Sequence, residues 1–278
     1  MILKHPTAQR LAYLLCSVFL LLASTAFSVI ASEQAPEEKQ TLDKVLFVGN
    51  SFSFYNNGIH NHLGSLIRAE GNWQRGKNRL RLQTLSGGHI HEQLEGLQAT
   101  LSNDRLGWQA VVLQAHSNEA VLKSKQARFT SSLKQAIDIV RGHRLEPILF
   151  MTWGYKDDPK MSQALAEAYI EQAEKHNVHL VPVGLAFAQA AKALPNVELF
   201  VPDVLGIEDT AAGNIITYRE EWKHPSVAGT YLAACVFYAS LYQKSPLGNP
   251  FTAGLDPDVA SALQSLSWQI VSDFQSRS

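Results

Sequence analysis

Two periods of apolar residues alternate along most of the chain. Lys44 to Val48 (KVLFV) is a short, β-branched run that stops at Gly49-Asn50-Ser51, and the next apolar positions, Ile59, Leu63, Leu66 and Ile67, repeat at helical spacing. The exchange then recurs. Leu80 to Leu85 predicts a second strand closed by Gly87-Gly88, and Ile90, Leu94, Leu97 and Leu101 stripe the helix after it. Ala110 to Leu113 predicts a third strand, and Phe129, Leu133, Ile137 and Val140 mark its helix. Pro147 to Met151 predicts a fourth strand leading into Thr152-Trp153-Gly154, followed by a helix from about Ser162 to His176 and a fifth strand over Val178 to Val183. Strands separated by single helices require right-handed crossovers, so the expected sheet is parallel and covered on both faces. Val197 to Tyr218 holds Pro202, Gly206 and Gly213 with little periodicity and predicts an active-site loop or cap. Val227 to Leu241 is a clear apolar helix. Pro257 to Phe274, periodic at Val259, Leu263, Leu266 and Ile270, predicts a last helix packed on the sheet. No repeat or composition break divides residues 43–278, which are expected to form one domain.

The N-terminal stretch stands outside this pattern. Lys4 and Arg10 precede an uncharged segment, Leu11 to Ile30, and Val29 and Ala31 occupy the −3 and −1 positions of a signal-peptidase site before Ser32. Residues 1–31 are therefore expected to be a signal peptide and 32–42 a polar linker. An uncleaved anchor is the competing reading, since about 20 apolar residues at 1.5 Å rise span a bilayer. Ser24, Thr25 and Ser28 dilute the distal half and favour cleavage. The expected location is extracytoplasmic, periplasmic or secreted, with no stable membrane span after cleavage. Removal of the leader takes away Lys4, Arg10 and Cys16, leaving a mildly acidic chain with Cys235 alone and no intramolecular disulfide. Across all 278 residues, 24 basic side chains face 25 acidic ones, so nucleic acid, which demands a clustered cationic excess, is not an expected partner. Two cysteines also exclude a disulfide framework and a cysteine-ligated zinc domain.

In a parallel sheet the ligand site lies outside the carboxyl ends of the strands. Those ends carry Gly49-Asn50-Ser51, Ser86-Gly87-Gly88-His89, Gln114-Ala115-His116-Ser117-Asn118 and Thr152-Trp153-Gly154, and Glu221-Trp222-Lys223-His224-Pro225-Ser226 precedes the late apolar helix. Ser51 and His224 form the most informative combination. A serine hydroxyl needs an adjacent base to act as a nucleophile, and that base needs a carboxylate to fix its tautomer. Glu221 lies three residues before His224, a spacing one tight turn can close. Taken singly, Ser51 reads as a helix cap and His-Pro-Ser as a helix start; together, in this order, they point to hydrolysis.

Val45-Leu46-Phe47-Val48-Gly49-Asn50-Ser51-Phe52-Ser53 resembles the first block of the SGNH (GDSL-like) hydrolases. The closing His224-Pro225-Ser226-x-x-Gly229-x-Tyr231-Leu232-Ala233-Ala234 is similar to a poorly characterised branch of that superfamily. The resemblance runs from about Leu42 to Leu241. It implies a three-layer α/β/α, flavodoxin-like fold around a parallel sheet of about five strands. It also implies Ser51 as nucleophile and first oxyanion donor through its own N–H, with Ser53 as the nearest competitor. A glycine N–H after the second strand would be the next donor, Gly88 in preference to Gly87. His224 would be the base.

Two blocks depart from the superfamily pattern. The loop after the third strand has no Gly-x-Asn-Asp, so the side-chain oxyanion donor is open among Gln114, His116 and Asn118, with His116 falling where the asparagine usually stands. Glu221 replaces the usual aspartate, and Glu220 or a backbone carbonyl are alternatives for orienting His224. The pairs His60-x-His62 and His89-x-His91 suggest metal chemistry, but the first falls in a helix and the second straddles a loop and a helix start, so neither is expected to chelate and no metal or other cofactor is expected. The expected activity is hydrolysis of a carboxylic ester on a small-molecule or glycan substrate. Export and an aromatic wall from Trp153 and Tyr155 favour carbohydrate deacetylation. A non-catalytic carbohydrate-binding or accessory protein on the same fold is the alternative.

Overall fold

The computed structural model describes residues 42–277. The expected signal peptide and nearly all of the expected linker lie outside them. Five strands, β1 (Lys44–Gly49), β2 (Arg79–Thr84), β3 (Ala110–Leu113), β4 (Glu146–Phe150) and β5 (His179–Val181), form one parallel sheet in the order β2-β1-β3-β4-β5. The central strands are buried on both faces, which is why they read as continuous apolar runs. Along β1 the pleat still sorts its side chains: Val45 and Phe47 enter one core, and Leu46 and Val48 enter the other.

The core containing Leu46 and Val48 is closed by α3 (Leu94–Leu101), α4 (Gln126–Gly142) and α5 (Pro159–His176). The opposite core is closed by α2 (Ile59–Ala69), α6 (Val183–Ala193) and α7 (Val227–Tyr242), with one further short helix, α1 (Ser51–Phe54), directly after β1. Residues 228–241 of α7 are buried on every side, because α8 (Pro257–Gln275) covers its outer surface. The last helix therefore packs on α7 and α6 instead of on the sheet as its periodicity suggested. The amphipathic stripe of α8 is the same either way. It is the all-round apolar character of α7 that demands a second covering layer.

Val197 to Tyr218 is not an irregular loop. It holds β6 (Phe200–Val201) and a protruding hairpin, β7 (Val204–Thr210) and β8 (Gly213–Tyr218). β6 pairs antiparallel with β9 (His224–Pro225), matching Val201 to His224. Among the described residues no helix is long and apolar enough to cross a membrane.

Candidate active site

The chain leaves β1 through Gly49 and Asn50 and turns at once into the single helical turn α1, which presents Ser51 at the carboxyl end of the sheet. This turn is held from within the fold. Asn50 Oδ1 caps α1 by accepting from Phe52 N at 3.2 Å, and Asn50 Nδ2 donates to Gly88 O at 3.0 Å. Gln114, at the end of β3, donates through Nε2 to Asn50 Oδ1 and to Ala115 O, both at 2.8 Å. Its Oε1 accepts from Asn50 N at 3.0 Å and from Ser53 Oγ at 2.8 Å. All four hydrogen-bonding positions of this buried amide are used inside the protein. Gly49 is required by that approach, since a Cβ there would stand 2.4 Å from Gln114 Oε1.

His224 reaches the same rim from the far end of the sequence. The β6–β9 pairing fixes its strand, Ser226 caps α7 immediately after it, and Asn56 Nδ2 donates to Pro225 O at 2.8 Å and Thr230 Oγ1 at 2.9 Å. The 221–223 backbone is anchored from below by Trp153 Nε1, which donates to Lys223 O at 2.9 Å. His224 Nε2 lies 2.7 Å from Ser51 Oγ, and His224 Nδ1 is hydrogen-bonded to Asp203 Oδ1. The carboxylate accepts from Nδ1–H, so Nε2 carries a lone pair directed at Ser51 Oγ. Tyr55 stacks on the imidazole at 4.2 Å between centroids, and Phe52 meets it edge-on at 5.9 Å. His224 and Asp203 each retain only 12% side-chain exposure, so their interaction is poorly screened. Tyr55 feels the same environment: burial, and secondarily the Asp203 charge, push its hydroxyl above the ordinary tyrosine value.

The carboxylate on His224 is thus Asp203, and the expectation for Glu221 does not match the geometry. Glu221 and Glu220 are exposed, and neither makes a hydrogen bond or ion pair among the described residues. Three residues in sequence do not bring Glu221 to the imidazole, because no turn forms over 221–223, whose backbone is pinned by Trp153 and by Lys156 N, which donates to Trp222 O at 2.8 Å. Asp203 is 21 positions from His224. The hairpin between them closes at its base, where Arg219 N donates to Asp203 O at 2.8 Å.

The glycine expectation shifts by one residue. Gly88 N donates to Leu85 O at 2.9 Å, closing a turn that turns this N–H away from the site. Gly87, in the left-handed region at φ +65°, lines the cleft, and its N–H donates to no protein acceptor among the described residues. The Ser51 N–H is equally free.

The side chains of the β3 loop divide differently from the sequence expectation. Gln114 is consumed in the clasp under Ser51. Asn118 Oδ1 accepts from Lys125 Nζ at 3.0 Å, which fixes the orientation of its amide, and the same oxygen lies 3.1 Å from His116 Nδ1. His116 Nδ1 therefore carries a hydrogen. Burial, followed by the nearby His89 and Lys125, lowers the His116 pKa to about 4, so the ring is neutral at pH 7 and its Nε2 is an acceptor. His116 lines the cleft but in this tautomer has no Nε2 hydrogen to offer an oxyanion, and Asn118 does not reach the cleft wall. Trp153 is no aromatic wall either. It is fully buried, stacked between Phe52 at 4.5 Å and Phe187 at 4.1 Å.

The cleft around Ser51 and His224 encloses about 430 Å³, lined among others by Phe54, Tyr55, Gly87, Ser117, Arg219 and Lys223. No protein-family model and no curated protein sequence matches the chain. Solved structures do. A DUF4886 family protein from Bacteroides uniformis is 16% identical and superposes with a TM-score of 0.59, covering 82% of this chain and 94% of its own. A candidate SGNH hydrolase from Slackia heliotrinireducens is 24% identical, with a TM-score of 0.52 over 71% of this chain and 97% of its own. A lipolytic G-D-S-L family protein from Veillonella parvula is 11% identical, with a TM-score of 0.51 over 72% and 99%. The chain shares its fold with these structures, among them a candidate SGNH hydrolase and a lipolytic G-D-S-L family protein, in line with the resemblance of its opening and closing sequence blocks.

Proposed function

We propose that this chain is a serine hydrolase that cleaves carboxylic esters. The observation that carries the reading is the continuous chain of polar contacts from Ser51 Oγ through His224 to Asp203, open to a cleft at the carboxyl end of the sheet. Ser51 attacks the acyl carbon while His224 Nε2 takes its proton, and Asp203 holds the imidazole in the productive tautomer and stabilises the imidazolium that forms. The Ser51 and Gly87 N–H groups face the oxyanion, each such donor contributing about 10²–10³ in rate. His224 returns the proton to the leaving alcohol, and a second round with water releases the acid.

The cleft is small and largely polar, with Arg219 and Lys223 at its mouth, which favours short acyl groups on polar alcohols over long lipid chains. Together with the signal peptide read over residues 1–31 and the extracytoplasmic location it implies, this supports deacetylation of carbohydrate. The test is hydrolysis of a panel of acyl chain lengths and acetylated glycans, alongside covalent labelling by a fluorophosphonate. Ser51→Ala and His224→Ala should abolish turnover and Ser51→Ala should abolish labelling, with unchanged circular dichroism. Wild-type turnover in either variant refutes these roles, and an unlabelled, inert wild type favours a binding protein on the same fold.

A further inference from the structure

Beside the cleft, and independent of whether it hydrolyses esters, lies a second cluster. His89 and His91 sit at the start of the 3-10 turn Ile90–Gln93 after β2, and Glu119 projects from the loop after β3. One potential ligand atom from each lies within 4.8 Å of the others. Sequence spacing alone discounted His89-x-His91 because the pair straddles a loop and a helix start. The fold supplies what the spacing lacked, a carboxylate from a different loop.

We propose that His89, His91 and Glu119 bind one divalent transition-metal ion, zinc by ligand chemistry, which ties the loop after β2 to the loop after β3. The strongest sign is an orphaned polar atom. Glu119 is fully buried, and its Oε2 has no hydrogen-bond partner among the described residues. An unpartnered buried carboxylate oxygen costs stability and calls for an explanation, of which a bound ion is one. The other carboxylate oxygen is anchored as the outer partners of metal ligands are: Arg128 Nε donates to Glu119 Oε1 at 2.7 Å. His89 Nδ1 pairs with that same Oε1 at 3.0 Å, which holds the imidazole beside the carboxylate and leaves Oε2 as the oxygen open to an ion. A 3.5 Å contact from Arg128 Nη2 to His89 Nε2 is at the outer limit of hydrogen bonding and competes only weakly for the imidazole.

The His89 backbone is preset, its N–H held by Glu92 Oε2 at 2.7 Å, and its ring is stacked on His116 at 4.4 Å. His91 is exposed and free to swing in as the third ligand. Two imidazoles and one carboxylate suit zinc and its neighbours in the first transition row, whereas calcium and magnesium prefer all-oxygen sites. The two loops so joined carry Gly87 and His116, both of which line the cleft, so the ion would stiffen that wall.

The test uses the purified chain without an affinity tag, stripped with chelator and titrated with zinc chloride by calorimetry and with cobalt(II) by visible absorption. One equivalent should bind, the cobalt spectrum should show the intense bands of a tetrahedral or five-coordinate site, and zinc should raise Tm. His91→Ala, at an exposed position that does not threaten folding, and Glu119→Gln should each weaken binding by more than about 100-fold, since outer-sphere changes alone cost 10–100-fold. His143→Ala, outside the cluster, should bind as wild type. Absence of binding, or equal binding by His91→Ala, overturns the site, as does an equal loss in His143→Ala.

Discussion

Replacing Asp203 by Asn should lower kcat/KM for a short-chain ester by about 10³–10⁴, whereas Glu221→Gln should leave it within about twofold. When His224 takes the Ser51 proton, a cation forms beside the Asp203 carboxylate. At a separation of about 4 Å and an effective dielectric constant of about 20, fitting for a pair mostly but not fully buried, that attraction is worth about 4 kcal/mol. At 1.36 kcal/mol per decade this corresponds to about three decades of rate. A further contribution comes from the tautomer. Lys223 Nζ lies 3.9 Å from Asp203 Oδ2, so the aspartate presents one oxygen to Nδ1–H and the other toward the lysine. Asparagine has only one oxygen, and directing it toward Lys223 turns its NH₂ on Nδ1, which forces the hydrogen onto Nε2 and blocks proton transfer from Ser51.

Glu221 faces solvent and touches neither His224 nor Ser51, so its charge is screened at that distance. The assay is steady-state hydrolysis of a chromogenic acetyl ester, with fluorophosphonate labelling rates as an independent readout of nucleophile activation and thermal melts to check folding. Asp203→Asn retaining a tenth or more of wild-type kcat/KM would refute the assignment. So would a Glu221→Gln variant that falls as far as Asp203→Asn.

Two further outcomes follow from the same geometry. Gln114→Leu keeps the volume of the side chain but strands Asn50 N–H and Ser53 Oγ–H in the core, so at about 1–3 kcal/mol for each unpaired group it should cost about 2–6 kcal/mol in chemical denaturation and lower kcat as the Ser51 turn loosens; unchanged stability would show that the clasp contributes nothing. His60, through burial and then the Arg81 and His62 charges, and His116 both titrate in the fold near pH 4 against 6.5 in the unfolded chain, so between about pH 6.5 and 4 the unfolded chain binds protons that the folded one refuses. Their contribution makes stability fall on acidification across that window and level off below it; urea midpoints measured from pH 7 to 4 should decline less steeply in His60→Gln and His116→Gln, and an unaltered slope would sink the assignment.

The parallel sheet was legible because burial on both faces leaves little room for polar residues in β1, β3 and β4, and each apolar run was followed by a break. Where two elements abut without a break, the reading failed. Val183 looks like the end of a fifth strand, but Pro182 stops that strand and Val183 begins α6, whose small-residue sequence VGLAFAQAAKA carries only a weak stripe. The hairpin failed for a different reason. Its large apolar residues Val204, Ile207, Ile216 and Tyr218 are exposed, so no buried face imposes a strict period of two, and the register shift between Val204 and Gly206 interrupts what alternation there is.

That hairpin also explains why the carboxylate was misplaced while the serine and histidine were not. Ser51 and His224 each sit beside a strong local signal, a strand end and a helix cap, and such signals are written in adjacent residues. The acid has no local signal. Its place is set by the pairing of Val201 with His224 and by the Arg219–Asp203 contact that pinches the hairpin shut, two long-range contacts that turn a sequence separation of 21 into direct hydrogen bonding. Spacing of three residues favoured Glu221 only on the assumption of a tight turn, and no turn forms over 221–223. The only trace of Asp203 in the sequence is its position ahead of a ribbon whose two arms, VLGIEDT and GNIITY, are joined by the two-residue turn Ala211-Ala212. Recognising those arms as a self-contained hairpin would have brought the residues flanking it, Asp203 and Arg219, together, and with them the acid to the rim that already held His224.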